Sequence, residues 1–146
     1  MRLELDGAPI PTGDEVLVVD GILGTGARGA PRGPAAAAIA HIQRLRATGA
    51  RVVALDVPSG IDATTGATSP DGAAVLADLT LTFGTLKRGL LVAREHAGAI
   101  MVLDIGLGEH AALDDGAPTL VDRAFVSAAL PRIATATHKG LRGRVA

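Results

Sequence analysis

Three polar side chains that could take part in chemistry follow two predicted strands of one sheet. Asp20 and Asp56 each end an apolar run, and the turn Pro58–Gly60 places Ser59 directly after the second run. Because ligands of open parallel sheets bind beyond the carboxyl ends of the strands, we expect a site centred on Asp56 and Ser59, with Asp20 beside it. Two neighbouring carboxylates repel each other unless one is protonated or a cation lies between them. The alternative is that each aspartate only caps a nearby loop or helix.

A glycine loop follows the first predicted strand. Gly24, Gly26 and Gly29 spell G-x-G-x-x-G, a pattern in which backbone N–H groups can approach a phosphate. The segment Pro31–Pro34 separates the third glycine from the next helix, and the acidic residue that a dehydrogenase places about 20 residues further on has no clear counterpart. The pattern therefore favours phosphate or ribose contact without hydride transfer, with a plain glycine turn as the alternative.

Lys87 and Ser59 could serve this site in different ways. Lys87 follows the third predicted strand and is a candidate cation for a phosphate, the alternative being a solvated surface lysine. Ser59 is not expected to be a nucleophile, since G-x-S-x-G is absent and no histidine is placed for a triad.

The elements that position these residues form an α/β pattern. Apolar runs predict four strands, and the spacing of Ile39, Ile42 and Leu45 predicts a helix that stops at Gly49. We also predict a helical turn over 73–77 and a short helix that Asp122 caps. The predicted elements are strands 16–20, 52–56, 79–83 and 99–104, and helices at about 35–48 and 123–130.

One mismatch stands out in this pattern. A parallel sheet needs helices on both faces, yet only one long helix is predicted. Either a helix has been overlooked, or the bare face is covered by the rest of a larger domain or by a partner such as a second copy in a homodimer.

Composition excludes several classes of function. The net charge is −1 with scattered basic residues, so no nucleic-acid partner is expected. The chain has no cysteine, which excludes disulfides and thiol catalysis. No apolar run approaches the roughly 20 residues that span a bilayer, and the first residues do not resemble a leader, so we expect no membrane association and a cytoplasmic location.

Four stretches taken together resemble the NAD(P)H-hydrate epimerases, the YjeF N-terminal-domain family. They cover about residues 15 to 108 and are residues 19–29, 54–66 (A-L-D-V-P-S-G-I-D-A-T-T-G), 77–89 and 99–106. The resemblance implies a Rossmann-like three-layer α/β/α fold with a mostly parallel sheet, incomplete at the N-terminus. It also implies interconversion of the R and S forms of hydrated NADH and NADPH.

The same resemblance implies roles for particular residues. Asp20 and Ser59 would help to hold a potassium ion, and Asp56 would be the catalytic acid/base at the hydroxyl-bearing ring carbon. The residues implied to contact the substrate are Gly24, Thr25, Gly26, Ala27, Arg28, Gly29, Ala30, Asp56 and, with a less defined role, Lys87.

The departures from the family concern both ends of the chain. The family's Asn-Asn-x-Gly-Asp loop, which binds substrate and potassium, has no counterpart, and residues 138–143 resemble the start of an ADP- or ATP-dependent hydrate dehydratase domain. We therefore expect a partial epimerase domain over 1–121, a linker with a short helix over 122–137 and the start of a truncated dehydratase domain over 138–146. On its own such a fragment of a bifunctional enzyme is expected to be inactive. The alternatives are a non-catalytic nucleotide-binding module and an NAD-dependent dehydrogenase domain.

Overall fold

The computed structural model describes residues 16–71, 73–106 and 120–130. The chain divides into two compact units, Met1–Ala111 and Ala112–Ala146. In chain order the first unit contains β1 (Leu17–Asp20), α1 (Gly33–Ala47), β2 (Arg51–Leu55), β3 (Leu79–Phe83), α2 (Arg88–Val92), α3 (Arg94–Ala97) and β4 (Ala99–Leu103). The second unit contains α4 (Arg123–Ala129).

The four strands form one parallel sheet in the order β1-β2-β3-β4. The register pairs Asp20 with Ala54, Ala54 with Thr80, and Thr80 with Ile100. The carboxyl ends of parallel strands lie at the same end of the sheet. Asp20, at the end of β1, and the turn after Leu55 of β2 are therefore both at that end. The predicted α/β fold with a parallel Rossmann-like sheet is confirmed.

Both hydrophobic clusters of the first unit lie on one face of the sheet. Ile39 and Ile42 of α1 pack with Val52 and Ala54 of β2. Leu90 of α2 and Ala97 of α3 pack with Ile100 of β4, and the strand register places Ile100 in line with Thr80 and Ala54. Residues that are paired across neighbouring strands point to the same face of the sheet. The helices α1, α2 and α3 therefore all cover one face.

The opposite face of the sheet is apolar and partly exposed. Leu17 and Val19 of β1 point to it and are 52% and 56% exposed, whereas Leu79 and Leu81 at its centre are buried. None of the described helices of this unit packs there. As predicted from the sequence, the helices of the described part of the fold leave one face of the sheet uncovered.

The boundaries of α1 and α4 agree with the sequence patterns. Gly49, with φ +101°, ends the turn after α1. At the start of α4 the Asp122 side chain accepts a hydrogen bond from the Phe125 N–H at 2.7 Å, as expected of an N-cap.

Two features differ from the sequence-based predictions. Residues 73–77 form no helical turn, because the amides of Val75 and Ala77 donate instead to the carbonyls of Ser59 and His96, both at 2.8 Å. The predictions also omitted α2 and α3, which are short and have no side-chain N-cap bond, so they lack the signals that mark longer helices.

No helix among the described residues has both the length and the apolar character needed to cross a membrane.

Candidate active site

Asp20 and Ser59 form a buried hydrogen-bonded pair at the strand ends. Asp20 is fully buried and Ser59 is 1% exposed. One Asp20 oxygen accepts from the Ser59 N–H at 2.8 Å and the other from the Ser59 hydroxyl at 2.7 Å. The expected proximity of these residues, 39 positions apart, is what the structure shows.

The same pair fixes the start of the glycine loop. The Ile22 N–H donates to Asp20 Oδ1 at 3.3 Å, and the Leu23 N–H donates to Ser59 Oγ at 2.9 Å. Because β1 runs directly into this segment, the two bonds hold the loop entrance against the turn after β2.

The environment of Asp20 fits a cation. No described residue forms an ion pair with this fully buried carboxylate, and an uncompensated buried charge is costly. The oxygens gathered here are the Asp20 carboxylate, the Ser59 hydroxyl and the Leu23 carbonyl, which lies 3.4 Å from Ser59 Oγ. Oxygen ligands suit hard cations. Among the described residues there is no group of three or more His, Cys, Asp or Glu side chains that could hold a metal ion.

Asp56 has a strained backbone at the end of β2. Its φ is +68°, and it is the one described non-glycine residue with positive φ. This conformation costs about 1–3 kcal/mol and persists where surrounding contacts enforce it, often at functional sites. Here the Asp56 N–H donates to the Leu81 carbonyl at 2.7 Å, continuing the ladder between β2 and β3.

The Asp56 carboxylate is held through a single oxygen. Oδ1 accepts from Lys87 Nζ at 2.5 Å and from the Phe83 N–H at 3.1 Å, with the Thr82 hydroxyl at 3.5 Å. Lys87 Nζ also donates to the Phe83 carbonyl at 2.7 Å. The Lys87 and Asp56 side chains keep only 16% and 21% of their surface exposed, so this ion pair is partly shielded from water.

The glycine loop borders a cavity of about 250 Å³. The Ala27 N–H closes a turn onto the Gly24 carbonyl at 3.0 Å. A Cβ added to Gly24, Gly26 or Gly29 would meet no described atom within 4 Å, so the packing around them does not require glycine. The cavity lies between this loop and the segment after β2, and its lining residues are Leu23, Ala27, Gly29, Ala30, Gly60, Ile61, Asp62, Thr65, Ala67, Thr68, Ser69 and Pro70.

Asp62 shapes the second wall of the cavity. Its Oδ1 accepts from the N–H groups of Thr65 at 2.7 Å and Thr64 at 2.9 Å, and these bonds hold the pKa of Asp62 below its usual value. Arg28 of the glycine loop lies 3.9 Å from the other oxygen. Asp62 therefore stabilises a local turn and also links it to the glycine loop.

The structure separates the predicted residues into two groups. Asp20 and Ser59 support the entrance of the glycine loop, whereas Asp56 and Lys87 pair with each other and do not line the cavity. The two carboxylates have no hydrogen-bond donor in common among the described residues. The third strand-end acid, Asp104, accepts from the Gly106 N–H at 2.8 Å and serves a local turn.

Sequence reasoning missed two partners of Asp56, the Thr82 hydroxyl and the Phe83 N–H. Neither has a local signal, because a β3 residue meets Asp56 only through the strand register. The link between Arg28 and Asp62 also lacks a local signal, because it joins two loops that are 34 residues apart in the sequence.

Comparison with known proteins gives matches over most of the chain. It is 40% identical over 141 residues to a bifunctional NAD(P)H-hydrate repair enzyme Nnr of Methanothermobacter thermautotrophicus, covering 96% of the chain and 25% of that relative. The corresponding protein of Hyperthermus butylicus is 40% identical over 144 residues, or 99% of the chain and 24% of the relative. An NAD(P)H-hydrate epimerase of Levilactobacillus brevis is 47% identical over 93 residues, or 62% of the chain and 41% of the relative.

The alignments and one family profile identify the family of this chain and the part of its relatives that it covers. The chain spans about a quarter of the length of the archaeal repair enzymes that it matches. The profile of the family described as YjeF-related protein N-terminus matches residues 4–89, which is more than half of the chain and includes Asp20, the glycine loop, Asp56, Ser59 and Lys87. The chain belongs to the YjeF-related protein N-terminus family.

Proposed function

We propose that this chain carries the nucleotide-binding edge of an NAD(P)H-hydrate epimerase, which interconverts the R and S forms of hydrated NADH and NADPH. The observation that carries the proposal is the family match over Asp20, Asp56 and Ser59, together with the buried Asp20–Ser59 pair that fixes the glycine loop. The proposed enzyme is an isomerase that acts in the cytoplasm as part of a bifunctional repair protein.

The glycine loop supports binding of the nucleotide part of the substrate. Gly24 and Gly26 are not required by packing among the described residues, and glycine lets a ligand approach the backbone closely. The residues proposed to contact the substrate are Gly24, Thr25, Gly26, Ala27, Arg28, Gly29, Ala30 and Asp56.

Asp56 is proposed as the acid/base group at the ring carbon that bears the hydroxyl. Epimerisation requires that one bond to this carbon breaks and forms again on the opposite face of the ring. Protonation of the hydroxyl by the Asp56 carboxyl group would let water leave, and the carboxylate would take a proton back from the water that adds to the other face, so the composition does not change. The strained backbone of Asp56 supports a functional role.

Potassium is the proposed ion, held in part by Asp20 and Ser59. When bound, a monovalent cation would compensate the buried Asp20 charge and attract anionic parts of the nucleotide. The chain's own residues would still orient the substrate and move the proton.

A chimera tests the proposed activity. In the Levilactobacillus brevis epimerase, the segment that aligns with this chain would be replaced by the residues of this chain. Exchange between the R and S forms of hydrated NADH would be followed by chromatography. We expect exchange above the spontaneous rate and a loss of about 10²–10⁴-fold in the Asp56→Asn variant, the usual range for an acid/base group. Unchanged turnover in the variant would remove Asp56 from the mechanism.

A non-catalytic nucleotide-binding module is the second candidate. It is favoured by the position of the cavity, which adjoins the glycine loop and is not lined by Asp56. This candidate predicts nucleotide binding by the chimera without any exchange between the two forms.

A further inference from the structure

The contacts of Lys87 leave little of its ammonium group for a phosphate. Two of the three donors of Nζ are used, one by Asp56 Oδ1 at 2.5 Å and one by the Phe83 carbonyl at 2.7 Å. The side chain is only 16% exposed. A lysine that served mainly as a phosphate contact would be expected to direct a freer ammonium group toward solvent or ligand.

The donors around Asp56 converge on one of its two oxygens. Lys87 Nζ, the Phe83 N–H and the more distant Thr82 hydroxyl all address Oδ1. None of the described residues donates to Oδ2, although the side chain keeps 21% of its surface exposed. The carboxylate is therefore fixed at one oxygen, and the described residues leave the other oxygen without a donor.

The anchor that fixes Oδ1 is built on two neighbouring strands of the sheet. Lys87 lies four residues beyond Phe83, whose carbonyl and N–H both take part, so the end of β3 holds the lysine and the carboxylate together. Asp56 itself follows β2, the neighbouring strand, and its N–H is bound by Leu81 of β3. Both backbone segments thus belong to the central part of the sheet.

We propose that Lys87 is a positioning residue that fixes Asp56 through Oδ1 and so presents Oδ2 to the substrate. This inference rests on the proposed function, because it assigns to Oδ2 the contact with the substrate hydroxyl. In this proposal the Lys87 ammonium group binds the Asp56 carboxylate and not a phosphate of the substrate.

Carbon-13 NMR of the 146-residue chain, labelled at aspartate, tests the anchor without any ligand. In Lys87→Met we expect the Asp56 carboxyl signal to be displaced and its side-chain couplings to average over several rotamers. Lys87→Arg should recover part of the wild-type signal, since a cationic donor is restored. Arg88→Met, which removes a charge from the exposed neighbouring position, should leave the signal unchanged and serves as the matched control.

Titration with hydrated NADH then tests the role of Oδ2. In the wild-type chain the ligand should shift the Asp56 carboxyl signal, and in Lys87→Met the affinity should fall about tenfold, as expected for one lost hydrogen bond to a charged group. Circular dichroism would verify that each variant is folded, and Lys87→Arg keeps the test decisive if Lys87→Met does not fold.

The outcomes separate the two proposals. A wild-type chain that binds no hydrated NADH would count against the proposed function, while the ligand-free spectra would still decide the anchor. An Asp56 signal and rotamer in Lys87→Met identical to those of the wild type would overturn the positioning role. So would unchanged Asp56 rotamers combined with weaker nucleotide binding, since that pattern would make Lys87 a direct substrate contact.

Discussion

At the scale of residues, the site is built on buried polar groups that satisfy one another across long sequence separations. Ser59 illustrates this, because its hydroxyl donates to Asp20 and accepts from the Leu23 N–H while its own N–H binds the same aspartate. Removing one partner from such a network leaves the others desolvated without a bond.

The Ser59→Ala substitution should therefore destabilise the first unit. We expect a loss of about 1–3 kcal/mol in the free energy of unfolding, because Asp20 Oδ1 and the Leu23 N–H each lose a partner. Urea denaturation of the 146-residue chain measures it. Ser127→Ala, on the exposed surface of α4, is the matched control and should change stability little. Equal stability of Ser59→Ala and wild type would show that the pair does not support the loop.

Residue types and spacing could place Asp20, Ser59 and Asp56 at the strand ends, because each follows a recognisable apolar run. They could not predict that Asp56 takes positive φ, nor that Lys87 pairs with it. Both features depend on how β2 and β3 align, and strand register is a property of the folded sheet.

At the scale of elements, the glycines near the cavity are of two kinds, with Gly60 in the cavity wall and Gly24 in the adjoining glycine loop. Gly60 has φ +96°, and a Cβ there would collide with the backbone of Ala73 and Ala74. Gly24 has neither a positive φ nor a neighbour within 4 Å of the added atom among the described residues. One glycine is required by the fold, whereas the other is free for a ligand.

Alanine at these two positions should give opposite results. Gly60→Ala should destabilise the chain by more than about 1 kcal/mol, since alanine is strained at positive φ and lacks space here. Gly24→Ala should leave the free energy of unfolding nearly unchanged but weaken nucleotide binding in calorimetry. Wild-type affinity in Gly24→Ala would argue against close backbone contact with the ligand.

The segment after β2 should respond to pH through Asp62. Hydrogen bonds from Thr65 and Thr64 lower its pKa in the folded chain, so the stabilisation is present above the unfolded value of about 3.9 and is lost as the pH falls through the lowered pKa. The stability difference between wild type and Asp62→Asn should stay constant from about pH 7 to 5 and shrink below about pH 4. A difference that does not vary with pH over this range would contradict the assignment.

The sequence predicted the strands and α1 well, because continuous apolar runs and an amphipathic repeat are local signals. It failed at 73–77, where backbone amides bind Ser59 and His96 instead of forming a turn. It also failed at α2 and α3, which are stabilised by burial of Leu90 and Ala97 rather than by local capping.

At the scale of the whole molecule, the described first unit has helices on one face of its sheet only. Leu17 and Val19 leave apolar surface exposed near the β1 edge, and monomeric proteins rarely keep large patches of this kind uncovered.

The 146-residue chain should therefore bind a hydrophobic dye or self-associate. Val19→Lys should reduce dye fluorescence and shift sedimentation toward the monomer, because it places a charge on this face. Leu91→Lys, a comparable change at an exposed position of α2 on the other side of the sheet, is the control and should have little effect. A wild-type chain that is monomeric and does not bind the dye would refute this prediction.

We propose that the carboxyl end of the sheet binds a hydrated nicotinamide nucleotide through the glycine loop and Asp56. Amide NMR spectra of the 146-residue chain, recorded during titration with hydrated NADH in the presence of potassium, test this binding mode. We expect the shifted amides to cluster at residues 24–30 and 56–59, with weaker effects from undamaged NADH. An absence of shifts, or shifts confined to other parts of the chain, would contradict it.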